Sequence, residues 1–157
     1  MLGQPQYLTP EGYETLQKRL RFFTEVRRAE VAERLHKALE EGGDLTQNAE
    51  YEDAKNEQAF VEGEIQRLET ILNHAEVIES TGPADEVVLG SKVTVTEKGS
   101  REKEVYYIVG SAEARPDEGR ISIESPLGKA MLGARVRDTV TVKAPAGEIV
   151  FVVKAIE

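Results

Sequence analysis

A chain of 157 residues has room for one domain or two small ones, and 39% apolar residues can supply a core, but 31% charged residues is high for a purely globular body. The net charge of -9 is uneven: residues 1–80 hold 9 Lys and Arg against 17 Asp and Glu, while residues 81–157 hold 11 against 12. An acidic half argues against a nonspecific duplex-DNA binder, and the absence of cysteine excludes disulfides and thiolate metal sites. With no signal peptide and no apolar run of about 18 residues, the expected setting is the cytoplasm, without a membrane partner.

The first element is a helix. Thr9 can cap it, Pro10 suits its first position because it has no N–H to lose, and Tyr7-Leu8 can pack on its first turn. Apolar residues fall at Tyr13, Leu16, Leu20 and Phe23, and again at Val31, Leu35 and Ala38; between the two runs the rhythm breaks around Arg27 and Arg28. Gly42-Gly43 ends the pattern. A second run, from about Leu45 or Asn48 to about His74, places Tyr51, Ala54, Gln58, Val61, Ile65, Leu68, Leu72 and Ala75 in unbroken 3-4 spacing. Two such seams joined by a short polar turn predict an antiparallel coiled-coil hairpin, each helix roughly 42 Å long with the turn at its tip. Ala75–Glu79 then reads as a short strand, and Ser80–Asp85 as the linker, dividing the chain into 1–80 and 81–157.

The second half alternates apolar and polar residues in five runs: Lys92–Thr96, Val105–Val109, Arg120–Ile123, Thr139–Val142 and Ile149–Val153. Pro145-Ala146-Gly147 reads as the turn joining the last two, and Ser125-Pro126 as the cap and first-turn proline of one short helix. The predicted class is α+β: a helical hairpin followed by a small antiparallel sheet around a short helix.

Chemistry concentrates at the tip. Asp44, with Glu41 and Glu50 close by in sequence, offers carboxylates without imidazole or thiolate, a set suited to a hard cation such as Mg²⁺. Two or three carboxylates could share a metal at another protein's phosphoryl-transfer site but could not build one alone. Asp44-x-x-Gln47 is equally a capping-box pattern, the commoner meaning of such a turn. Lys55, one turn into the second helix, suits a phosphate contact or a solvated face. His36 and His74 lack ligand spacing, and no phosphate-binding glycine loop or nucleophile triad is visible.

These residues resemble a known family. Gly43 to Tyr51, Ala54-Lys55-Asn56-Glu57-Gln58 and Glu62-Gly63 are similar to the GreA/GreB family of bacterial transcript-cleavage elongation factors. So are Tyr7 to Gly12, Val26-Arg27-Arg28, Ile123 to Gly133, Asp138 and Pro145-Ala146-Gly147-Glu148. The resemblance implies an N-terminal coiled-coil hairpin and a C-terminal domain of FKBP-like fold. It further implies an accessory factor, not itself an enzyme, that binds RNA polymerase. The globular domain would dock at the rim of the secondary channel, on a coiled coil of the largest subunit, and the hairpin would bring its tip to the active site. There it would stimulate cleavage of the 3′ end of backtracked RNA, releasing arrested complexes.

Carried over by position, Asp44 is the catalytic and metal-holding acid, with Glu50 a second metal candidate. Gln47, Asn48 and Tyr51 position the tip, and Lys55 meets the RNA. Glu124, Ser125, Pro126, Leu127 and Met131 face the polymerase. Mg²⁺ would be shared with the polymerase, not bound stably by this chain alone, and the factor would act as a monomer. The chain departs from the family pattern at Gln47, where a second acid is usual, in the paired Gly42-Gly43, and in Leu39-Glu40-Glu41, where a basic residue is common. Those departures open an alternative, a channel-binding regulator without cleavage. A stand-alone FKBP-like prolyl isomerase is the third reading, disfavoured because the 81–157 segment has Tyr106, Tyr107 and Phe151 but no Trp.

Overall fold

The computed structural model describes residues 4–41, 47–79 and 85–157. It divides into two compact units, Glu14–His74 and Met1–Tyr13 together with Ala75–Glu157; below they are the hairpin and the body. The hairpin unit is shorter than the expected 1–80 because the segments flanking it pair with each other within the body.

The hairpin comprises most of α1 (Pro10–Phe22), a π-helical turn (Phe23–Arg27), α2 (Arg28–Glu40) and α3 (Ala49–Asn73). Its interior is the seam that the spacing predicts. Leu16, Phe23, Val31, Ala38, Ala54, Val61, Ile65 and Leu68 are buried, and Leu20, Leu35, Tyr51, Gln58 and Leu72 are half-buried. The break in rhythm has a structural cause. The Arg28 N–H donates to the Phe23 carbonyl five residues back, so one extra residue is taken into the helix. The Thr24 hydroxyl donates to the carbonyls of Leu20 (3.0 Å) and Arg21 (3.1 Å), occupying acceptors beside the break. The inserted residue brings Val31, Leu35 and Ala38 back to the seam and turns Arg27 and Arg28 toward the acids of α3.

Cross-helix ion pairs fix the antiparallel register. Arg19 meets Glu64 (3.1 Å), Arg27 and Arg34 both meet Glu57, and Arg28 grips Glu62 with two bonds of 2.8 and 2.9 Å. The Arg28 guanidinium holds the Glu62 carboxyl below its ordinary range, and Arg67, then Arg19, do the same for Glu64.

The body holds a two-stranded ribbon of β1 (Gln6–Leu8) and β2 (Ala75–Val77), paired in parallel with Leu8 fully buried. Its main sheet has five strands: β3 (Lys92–Glu97), β4 (Lys103–Val109), β5 (Arg120–Ser122), β6 (Thr139–Ala144) and β7 (Gly147–Ile156), in the order β5-β4-β3-β7-β6. Alternate residues Val93, Val95, Val140, Val142, Phe151 and Val153 point into one core. The helix α4 (Pro126–Met131) adds Met131 to that core. Within this five-stranded sheet all pairings but one are antiparallel as expected; β4 and β5 run parallel, because two short 3₁₀ turns (Ser111–Glu113, Pro116–Glu118) between them form a crossover instead of a hairpin.

The start of α1 is tied down within the body. Thr9 caps it, its hydroxyl accepting from the Gly12 N–H at 3.0 Å. The Thr9 N–H in turn donates to the Glu113 carboxylate at 2.9 Å. In a capping box that acid comes from the third helical residue; here Gly12 holds that place, and a Cβ on it would lie 1.9 Å from Glu113 Oε1. An acid distant in sequence therefore completes the box. Glu113 also accepts from Arg120 (3.3 Å) and the Gly110 N–H (3.4 Å), which satisfies a buried charge.

Candidate functional site

The acidic turn is the first candidate. Asp44 lies outside the described residues, so the geometry begins at its C-terminal side. Gln47 is exposed and stands just before the helix. The cap of α3 is Asn48, whose Oδ1 accepts from the Tyr51 N–H at 3.1 Å. Its Nδ2 donates to the Ala38 carbonyl on α2 at 3.1 Å. One side chain thus caps α3 and ties it to the last turn of α2. The described cap of α3 is Asn48, and the Asp44 half of the Asp44–Gln47 capping-box pattern lies outside the described residues. The Tyr51 side chain is half-buried.

Glu50 is exposed in the first turn of α3, with Arg34 Nη2 at 3.5 Å. That is a long, solvated pair, worth about 0.2–1 kcal/mol. Arg34 was not among the residues singled out from the sequence; it becomes visible only once the antiparallel register sets it opposite Glu50 and Glu57. Lys55 is exposed, and its ammonium meets the Gln58 side chain at 3.4 Å instead of Glu52 or Asp53. Among the described residues no three His, Asp or Glu side chains cluster as a metal site.

The second candidate surrounds α4. Ser125 caps that helix, accepting from the Gly128 N–H at 3.1 Å and donating to the Ser122 carbonyl at 2.7 Å. Gly128 is required for that close approach, because a Cβ there would lie 1.9 Å from the Ser122 carbonyl oxygen. Glu124 is exposed, accepts from the Ser111 hydroxyl, and has its backbone N–H bonded to Ser122 Oγ at 3.0 Å. Pro126 is exposed and Leu127 half-buried. Of these four residues Glu124 and Pro126 are exposed, while Ser125 and Leu127 are half-buried, Leu127 against the core. Met131 is not at the surface: its side chain is fully buried in the body core, as its spacing from Leu127 on the inner face of α4 requires. Leu132, the next residue, is 40% exposed.

Two family models match the chain one after the other, dividing it by sequence and not by the two compact units. The family model described as "Transcription elongation factor, N-terminal" matches residues 6–77, and "Transcription elongation factor, GreA/GreB, C-term" matches 82–157. A protein of Geobacillus kaustophilus named transcription elongation factor GreA is 46% identical over 159 aligned positions, covering 100% of both chains. One of the same name from Caldanaerobacter subterraneus subsp. tengcongensis is 47% identical, covering 94% of each. A crystal structure titled GreA factor homolog 1 (Gfh1) of Thermus thermophilus is 35% identical, covers 98% of this chain and 99% of its own, and superimposes with a TM-score of 0.45.

Proposed function

Because the chain belongs to the GreA/GreB family of transcription elongation factors, we propose that it binds bacterial RNA polymerase at the secondary channel and stimulates cleavage of the 3′ end of backtracked RNA. The observation that carries this reading is the Asn48 clamp. A residue that both caps α3 and bonds the Ala38 carbonyl of α2 ties the first turn of α3 to the last turn of α2. Holding those two helix ends together suits a hairpin that must place one carboxylate at a reaction centre.

The roles divide along the chain. Asp44 reaches the polymerase active site, and Gln47 orients a water beside it. Lys55, exposed and free of any carboxylate among the described residues, meets an RNA phosphate. Glu124, Ser125, Pro126 and Leu127 meet the rim of the channel, with Met131 supporting their helix from inside. The tip donors Asp44, Gln47 and Glu50 are oxygens throughout, the set that suits Mg²⁺, and they are too few to complete its shell without acids of the polymerase. When bound, that ion supplies Lewis-acid activation of water at the phosphodiester. The protein acts as a monomer in the compartment where the polymerase works.

A specific observation supports the second reading, a channel-binding regulator without cleavage. The tip has a neutral Gln47 as its second group, and Glu50 faces Arg34 at 3.5 Å. The two readings share the approach of the tip to the active site, and that step is testable first. The chain has no cysteine, so Gln47→Cys accepts a single iron-chelate probe at the tip. Radical cleavage confined to the RNA 3′ end and the polymerase active-site loops is the expected result. Cleavage confined to the outer surface of the polymerase would refute the reading.

A further inference from the structure

The turn that follows α4 is built in a way its own backbone does not favour. Among the described residues Arg137 is the one non-glycine with positive φ, at 77°. A Cβ is strained there and a glycine is not. The turn is held by main chain and one acid. The Arg137 N–H donates to the Val153 carbonyl at 2.8 Å, and the Asp138 N–H to the Arg135 carbonyl at 2.9 Å. The Asp138 carboxylate accepts from the Arg135 N–H at 2.9 Å. None of these bonds uses the Arg137 side chain, so glycine would make the same turn with less strain. Strain retained at an exposed position directs attention to what the side chain meets outside the molecule.

What the turn presents is distinctive. Arg135 and Arg137 are exposed, and Val136 between them is 42% exposed. Among the described residues neither guanidinium faces a carboxylate. Leu132, exposed, and Lys129, also unpaired, precede the turn in the same run that begins with Glu124 and Ser125. Two free guanidiniums flanking an exposed valine suit a surface of carboxylates around an apolar patch, since guanidinium binds carboxylate through two parallel hydrogen bonds.

We propose that the Arg135–Arg137 turn is a second contact with the polymerase, seated on an acidic protein surface. The proposal rests on the reading of polymerase as partner, and the experiment separates the two. Full-length wild type, Arg137→Gly and Arg135→Gln are titrated against bacterial RNA polymerase core enzyme at low and moderate salt, and melted alone. Arg137→Gly is expected to raise the melting temperature by about 3 °C and to weaken binding about tenfold at low salt, with a shallower salt dependence. Arg135→Gln is expected to weaken binding with the melting temperature unchanged. Undiminished affinity in Arg137→Gly would overturn the proposal, as would a loss of affinity accompanied by a lower melting temperature. Arg137-dependent binding of a single-stranded RNA oligonucleotide would overturn it in favour of a nucleic-acid contact. If wild type itself does not bind the polymerase, the reading beneath the proposal falls first.

Discussion

In the hairpin Lys18, Arg19, Arg27, Arg28, Arg34, Lys37 and Arg67 all face carboxylates, leaving only Arg21 and Lys55 without one among the described residues. In the body the proportion is reversed. Lys92, Arg115 and Arg120 are paired, while Lys98, Arg101, Lys103, Lys129, Arg135, Arg137, Lys143 and Lys154 face no carboxylate among the described residues. The difference follows from shape. A two-helix seam is one layer thick and cannot bury enough apolar surface to fix its register alone, so charge ladders across the helices do part of that work. The body has a two-sided core of Val93, Val95, Ile108, Met131, Phe151 and Val153, and its surface charges are left for other purposes. Lys55, one of the two unpaired cations of the hairpin, stands near the tip, where an RNA contact is proposed.

The contrast can be broken most forcefully in the two cores. Ile108→Ala in the body should cost about 3–4 kcal/mol, whereas Ile65→Ala in the seam should cost about 2, because a thin seam can collapse around the lost atoms. Urea unfolding followed by tyrosine fluorescence and by helical circular dichroism reports both, and equal costs would remove the distinction. Asn48→Ala should cost about 1 kcal/mol, read as faster hydrogen exchange of the amides from Tyr51 to Asp53 with body amides unchanged. Glu57→Gln removes the partner of both Arg27 and Arg34. It should cost about 1 kcal/mol at low salt, fading at high salt, and a cost independent of salt would mean that packing dominates there.

The smallest effect is with pH. The folded values of Glu62 and Glu64 are held below the ordinary carboxylate range by their arginines. The stability they give is therefore fully present above an unfolded value of about 4.3 and is lost as pH falls through the lowered folded values. Helical signal in the hairpin should weaken as the solution is acidified below about pH 4, and Arg28→Met should flatten that profile. An unchanged profile in that variant would assign the acid sensitivity elsewhere.

Much of this architecture is written in residue spacing. The positions of the hairpin seam, the five strand runs, the Thr9 and Ser125 caps and the short helix α4 follow from local pattern, because period and capping are local properties. What the spacing leaves out depends on residues far apart. The break at Phe23–Val31 signals an interruption but not a π turn. Glu113 carries no local mark of its role, since its partners Thr9 and Gly12 lie a hundred residues earlier. The parallel pairing of β1 with β2 is hidden because the entire hairpin is the connection between them. The cap of α3 proves to be Asn48, and Arg34 is visible only from the register. In the run proposed to dock, a motif in one dimension includes Met131, which the turn of α4 sends inward.

The account's central claim is that an acid on this tip assists cleavage by the polymerase. The most direct measurement is RNA cleavage in a backtracked elongation complex at several Mg²⁺ concentrations, with wild type beside Asp44→Ala and polymerase occupancy measured in the same samples. Cleavage stimulated by wild type and abolished by Asp44→Ala at equal occupancy is the predicted result. Tight binding with no stimulated cleavage by wild type at any Mg²⁺ concentration would contradict it and make the protein a regulator that occupies the channel.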